Sequence, residues 1–141
     1  TPDVVWQPSV TADENGLAML SGVMICVEDP EEAAGRYQRF TNKPEQPVGR
    51  GFRINLDRGH LTICDPKDCL RILPGIEIPS MPFIAAVSIQ SADIDSTRSF
   101  LAAADVPLIA DTQGCVVVSP EAGMGACFSL HSAGHDPFPL T

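Results

Sequence analysis

A chain of 141 residues has the size of one domain and can bury a sizeable core. Its 44% hydrophobic and 19% charged residues exclude a disordered tract, and no apolar run is long enough to span a bilayer. A formal net charge of −9, with Lys43 and Lys67 the only lysines, argues against a nucleic-acid surface or an anionic membrane as partner, since both need clustered basic residues.

Residues 1–16, "TPDVVWQPSVTADENG", carry two prolines and no sustained period, and they read as an arm or linker with Trp6, Val4 and Val5 as a clamp. From Leu17 to Val27 the apolar and β-branched content predicts a strand buried on both faces. Asp29 then offers an N-cap carboxylate, Pro30 suits the first helical position, and Glu32 stands where a capping box places its acid. Ala33, Tyr37 and Phe40 trace the apolar stripe of that helix, and Asn42 to Pro47 ends it. "RGFRINLD" and "GHLTICD" follow as two short β segments joined at Asp57-Arg58-Gly59, a link suited to a hairpin. Residues 66–81 read as a short helix and a proline-rich connector.

The same order then returns. "FIAAVSIQ" is a strand, Asp93 caps a helix with inner stripe Ile94, Thr97, Leu101 and Ala104, and β segments are expected at 107–110, 114–118 and 125–131. Val87, Ile89 and Asp93 stand where Val23, Ile25 and Asp29 stood, so a strand–helix–strand–strand–strand unit occurs twice. The expected organisation is an arm over 1–16, one domain over 17–131 and a tail over 132–141. Within the domain, unit one covers about 17–65, the connector 66–81 and unit two about 82–131.

This tandem βαβββ pattern resembles the vicinal oxygen chelate superfamily, which includes glyoxalase I, extradiol dioxygenases, methylmalonyl-CoA epimerase and the bleomycin- and fosfomycin-resistance proteins. The phrasing is most similar to glyoxalase-like domain proteins in "LDRGHLTICDP", "ILPGIEIPSMPFIAAVSIQSADIDSTRSFLAAADVP" and "VVVSPEAGMGACFSL". The resemblance implies an α+β fold in which both units share one cupped mixed β-sheet, with the helices packed outside. It also implies a metal site: a His on the first strand and a His, Gln or Glu opening the second unit, each seven residues before the helix-starting Asp, and a Glu four residues after the Gly that opens each last strand. Those positions hold Gly22, Ala86, Ile63 and Ser129 here, which cannot bind a divalent metal, and a one-residue shift in register does not restore a donor set. No cofactor is expected, and a metal only at a non-standard site.

Strand alternation from Gly22 places Met24 and Cys26 inside the cup, with Ser88 and Gln90 from the second unit and Cys127, Ser129 and His131 from the last strand. Small, sulfur-bearing and neutral polar groups suit a mainly apolar ligand held by a few hydrogen bonds. Arg53 either joins that lining, to hold a carboxylate or phosphate, or is a plain exposed edge arginine. His60 and Cys64 share a strand face and could bind metal or poise a thiolate, but a half-exposed His with a packed Cys is the favoured reading. His131 and His135 could clasp a metal, although their Gly-, Ser- and Pro-containing surroundings favour a solvated tail. Glu31 and Glu32 suit the positive end of their helix, and "AGMG" reads as a turn.

Five cysteines, Cys26, Cys64, Cys69, Cys115 and Cys127, without a CxxC spacing point to free thiols and a reducing, cytoplasmic setting. The leading functional expectation is metal-independent binding of a small, largely apolar molecule. The alternatives are a lyase, isomerase or dioxygenase with displaced metal ligands, or a non-catalytic half of a larger protein, which a start at Thr1 rather than Met would suit. A homodimer or a sister domain is the expected protein partner, if any.

Overall fold

Eleven elements build the part of the chain described by the computed structural model, residues 16–141. Unit one runs β1 (Leu17–Cys26), α1 (Pro30–Thr41), β2 (Glu45–Val48), β3 (Gly51–Asn55) and β4 (His60–Cys64). A linking helix, α2 (Pro66–Ile72), leads to unit two: β5 (Phe83–Ser91), α3 (Ile94–Ala103), β6 (Leu108–Asp111), β7 (Cys115–Val118) and β8 (Cys127–His131). The expected clamp at Trp6 lies outside the described residues. Gly16, the last residue of the expected arm, is described, and its carbonyl accepts from Ala92 N–H at 2.9 Å.

All eight strands form one sheet in the order β2-β3-β4-β1-β5-β8-β7-β6. The order is two mirrored halves joined where β1 and β5 run antiparallel, while β1·β4 and β5·β8 are the parallel pairs inside each unit. This is the α+β fold of two tandem βαβββ units that the repeat predicts. Parallel pairs need a crossover, and each unit supplies it with the helix that its Asp begins. Asp29 accepts from Glu32 N–H with Pro30 in the first turn, and Asp93 accepts from both Asp95 and Ser96 N–H.

The helices α1 and α3 cover one face. Ala33 and Ala34 of α1 pack on Ile25, Ile54 and Ile63, and Leu101 of α3 packs on Val116, Val118 and Leu130. Phe40, expected in the α1 stripe, is instead 86% exposed, and Ala104, expected in the α3 stripe, is exposed at the helix C-cap. The chain between them holds a further difference. Within and just past the stretch from Asn42 to Pro47 that was expected only to end the helix, residues 45–48 form strand β2, which tolerates Pro47 because it lies at the sheet's edge.

A third cluster fills the opposite, inner face: Met24, Cys26, Cys64, Ala86, Cys115, Val117 and Cys127 from the sheet, covered by Cys69 and Leu73 of the α2 region and by Phe138 and Leu140. All five cysteines are free and buried. Burial pushes the Cys26 thiol up to about 12 and those of Cys115 and Cys127 up to about 11, while hydrogen bonding with Cys64 and then burial raise Cys69. Thiolate is the reactive form. At pH 8 an aromatic disulfide reagent is therefore expected to leave all five unmodified in the folded protein and to react with all five in denaturant; rapid reaction of any one in the folded state would contradict this packing.

Candidate functional site on the inner face

Register decides which side chains meet. Gly22 of β1 stands beside His60 of β4 and Ser88 of β5, and Ser88 stands beside Ser129 of β8. A row of His60, Gly22, Ser88 and Ser129 thus crosses the four central strands on one face. The next row brings Arg53, Thr62, Met24, Ala86 and Cys127 together. Gln90 pairs with His131 beyond the first row, half-buried.

Gly22 carries no side chain because there is no room for one. A Cβ there would collide with His60 Cε1 and lie 2.5 Å from its Nδ1, so the imidazole of β4 covers the space that β1 leaves. The expected acidic-ligand position on β4, Ile63, is corrected by the structure. Ile63 pairs with Ile25 and packs under α1, so it faces away, and β4 presents His60, Thr62 and Cys64 instead.

A bulge between Leu20 and Gly22 adds a residue that simple alternation missed. It turns Ser21 into the inner face as well, where its Oγ lies 2.7 Å from Ser88 Oγ and 2.6 Å from His131 Nε2. His131 Nδ1 lies 2.9 Å from the Ser132 carbonyl, which can only accept. In the neutral ring the proton therefore sits on Nδ1, Ser21 donates to Nε2, and Ser88 donates to Ser21. Two buried groups in this region have no partner at all, Ser129 Oγ and His60 Nδ1.

The segment after β8, expected to be solvated, lies across this face. Ser132 N–H and its hydroxyl bond the Gly114 carbonyl, and the chain then crosses from unit two to unit one. Arg53, which points inward with its side chain only 15% exposed, holds it there. Its Nε donates to Thr62 Oγ1 at 3.2 Å, its Nη1 to Asp136 at 3.0 Å and its Nη2 to the Phe138 carbonyl at 2.7 Å. Asp136 also accepts from Phe138 N–H, closing a turn over Pro137. Phe138 is fully buried, edge-on to His60 at 6.3 Å between ring centres. Arg71 donates to the Pro139 carbonyl, and Leu140 lies against Gly49 and Gly51, where a Cβ would strike it. His135 does not join His131: its ring lies on Gly114, 2.6 Å from where a Cβ would be, in an exposed turn.

No protein-family model matches the sequence, and neither does any curated protein. Solved structures do. Methylmalonyl-CoA epimerase from Mycobacterium tuberculosis superposes with a TM-score of 0.67 at 16% identity, over 88% of this chain and 93% of that one. A Streptomyces coelicolor methylmalonyl-CoA epimerase variant, in complex with 2-nitronate-propionyl-CoA, gives 0.66 at 11% identity over 84% and 99%. A hypothetical protein from Bacillus halodurans C-125 gives 0.61 at 10% identity over 83% and 95%. At such identities the likeness establishes the fold alone.

The donor set on that fold's inner row does not fit a divalent metal. One imidazole and two neutral hydroxyls line the row, and among the described residues no group of three His, Cys, Asp or Glu is placed to hold an ion. Among the same residues, no helix is long and apolar enough to cross a membrane.

Proposed function

We propose that this protein binds a small, largely apolar molecule on the inner face of its sheet, through hydroxyl, imidazole and guanidinium groups rather than a divalent metal. The observation behind this is the pair of partnerless buried atoms, Ser129 Oγ and His60 Nδ1, in a face already lined by Ser21, Ser88, Thr62 and His131. A core that only had to be stable would not bury that many hydrogen-bonding groups and leave two unsatisfied, because each costs about 1–3 kcal/mol. A ligand that supplies the missing partners recovers that cost. Met24, Cys26 and Cys127 form the apolar floor beneath them, with Gln90 at the rim.

The test is a thermal-shift screen of aromatic and aliphatic metabolites on chelator-treated protein, with elemental analysis alongside. Selective compounds should raise the melting temperature, Ser129→Ala should weaken them about tenfold, and bound metal should stay far below one ion per chain. One stoichiometric metal, or no response to any compound, would remove this reading.

An isomerase reading has one observation of its own. Two of the three neighbours named above are epimerases, and Ser88, Ser21 and His131 form a buried chain along which a proton could pass to an imidazole. If that reading holds, the protein will exchange the acidic C–H of a carbonyl ligand with heavy water, and His131→Gln will abolish the exchange without abolishing binding.

A further inference from the structure

The inner face already holds an occupant, and its chemistry is specific. A carboxylate, Asp136, meets Arg53 Nη1 at 3.0 Å, and a carbonyl oxygen, that of Phe138, meets Nη2 at 2.7 Å. Two oxygens on one guanidinium fork is the arrangement a single carboxylate makes. The aromatic ring carried beside them is the largest side chain fully buried in the described structure, edge-on to His60. Prolines 137 and 139 flank it and pre-set the backbone on either side.

We infer that residues 134–141 stand in for the ligand: the site around Arg53 and His60 takes a carboxylate joined to an aromatic or bulky apolar group, and such a molecule binds by displacing this segment. The inference rests on the reading of the inner face as a ligand site and adds the ligand's class and the means of entry.

Several features agree with displacement rather than permanent anchorage. Asp136 remains 45% exposed at its side chain, so the carboxylate that anchors the segment stands at the solvent edge, over an Arg53 side chain that is only 15% exposed. Arg53 keeps its Nε bond to Thr62 whichever oxygens occupy the fork, so the site stays oriented when the segment leaves. His60 Nδ1 has no partner with the segment in place, which marks the occupant as incomplete.

The experiment compares phenylacetate, 3-phenylpropionate and 4-phenylbutyrate with their neutral amides by calorimetry, on the wild-type chain and on Asp136→Asn, Phe138→Ala and Arg53→Gln. A parallel wild-type sample carries 4-fluorophenylalanine at position 138 for fluorine NMR. Removing a competitor raises apparent affinity by the inverse of the fraction open. Acids are therefore expected to bind about tenfold or more tightly to Asp136→Asn and Phe138→Ala than to wild type, and in Arg53→Gln to lose their preference over the amides. The fluorine signal should move to its solvent-exposed position as acid is added. Should Phe138→Ala fail to fold, Asp136→Asn and the fluorine label carry the test. Binding with no movement of the fluorine signal and no gain in Asp136→Asn would overturn the inference while leaving the inner face a ligand site. No binding of these or any screened compound to any folded variant would overturn both.

Discussion

Replacing Gly22 by valine is expected to destabilise the protein by about 2–3 kcal/mol, a fall in melting temperature of roughly 5–10 °C, and to drive the His60 ring off the inner face. Glycine within a strand is itself unfavourable by about 0.5–1 kcal/mol, so a side chain here would help if space allowed. Space does not allow it. A Cβ at Gly22 meets Cε1 of His60, lies 2.5 Å from Nδ1 and 3.0 Å from the His60 carbonyl. The ring can swing away by rotating its side chain; the carbonyl belongs to the ladder between β1 and β4 and cannot. Overpacking therefore outweighs the gain in strand propensity. Denaturant unfolding measures the loss, and a cycle with His60→Ala separates its parts. Removing the ring should restore most of the stability of the valine variant, with a small residue left for the carbonyl. A Gly22→Val chain as stable as wild type, or one that His60→Ala does not rescue, would contradict the placement of the imidazole over Gly22.

That position also shows what the sequence could and could not reveal. The duplicated strand and its capped helix were legible because their signals are local. Asp29-Pro30 and Asp93 fix the helix starts, and the apolar runs before them are strands, although Ala18, Met19 and Leu20 of β1 and Ile84 of β5 are exposed rather than buried on both faces. The inner lining was legible only where alternation runs unbroken, as through Gly22, Met24 and Cys26. It failed at Ser21, because a bulge lets two successive residues face the same way, and periodicity carries no sign of a bulge. It failed at Ile63 because the count began at Gly59, within the loop of residues 56–59, and parity was lost by one. Strand β2 escaped because four residues with a central proline show no pattern.

The largest miss was the segment after β8. Its contacts reach back more than eighty residues, from Asp136 and Phe138 to Arg53, and no local rule encodes a contact of that range. One signal was present: in "DPFPL" two apolar residues, Phe138 and Leu140, each follow a proline in an otherwise polar stretch, more apolar than a solvated tail needs. Arg53 was legible as one of two outcomes, and the structure decides it, because the register with Thr62 turns it inward. The metal positions show the opposite case. That Gly22, Ala86, Ile63 and Ser129 are poor donors is a matter of residue identity alone, whereas the imidazole that β4 lays over Gly22 needed the register between strands.

Acid is expected to loosen the inner face in two steps. Burial lowers the His60 pKa below its ordinary value of 6.5, and the Arg53 guanidinium adds to this; Asp136 opposes them weakly and His131 lies on the repelling side. Burial alone would raise Asp136, but the Phe138 N–H and the Arg53 guanidinium together hold it below its ordinary 3.8. In both cases the unfolded chain takes the proton more readily than the folded one. The stability each group confers is therefore complete above its unfolded value and is lost as pH falls through the folded one. The His60 window opens below about pH 6.5, and the Asp136 window below about pH 4. Within either window the slope can approach about 1.4 kcal/mol per pH unit for one proton. Melting temperature followed from pH 8 to pH 3 should be flat at the top, then fall in two limbs. His60→Gln should flatten the first limb and leave the second, and Asp136→Asn should do the reverse. Because Asp136 anchors the segment, the second limb should coincide with release of residues 134–141, read as faster amide exchange at Phe138, whose N–H donates to Asp136. A first limb that persists unchanged in His60→Gln would show that the titrating group lies elsewhere and not at the His60 imidazole, whose Nδ1 has no partner.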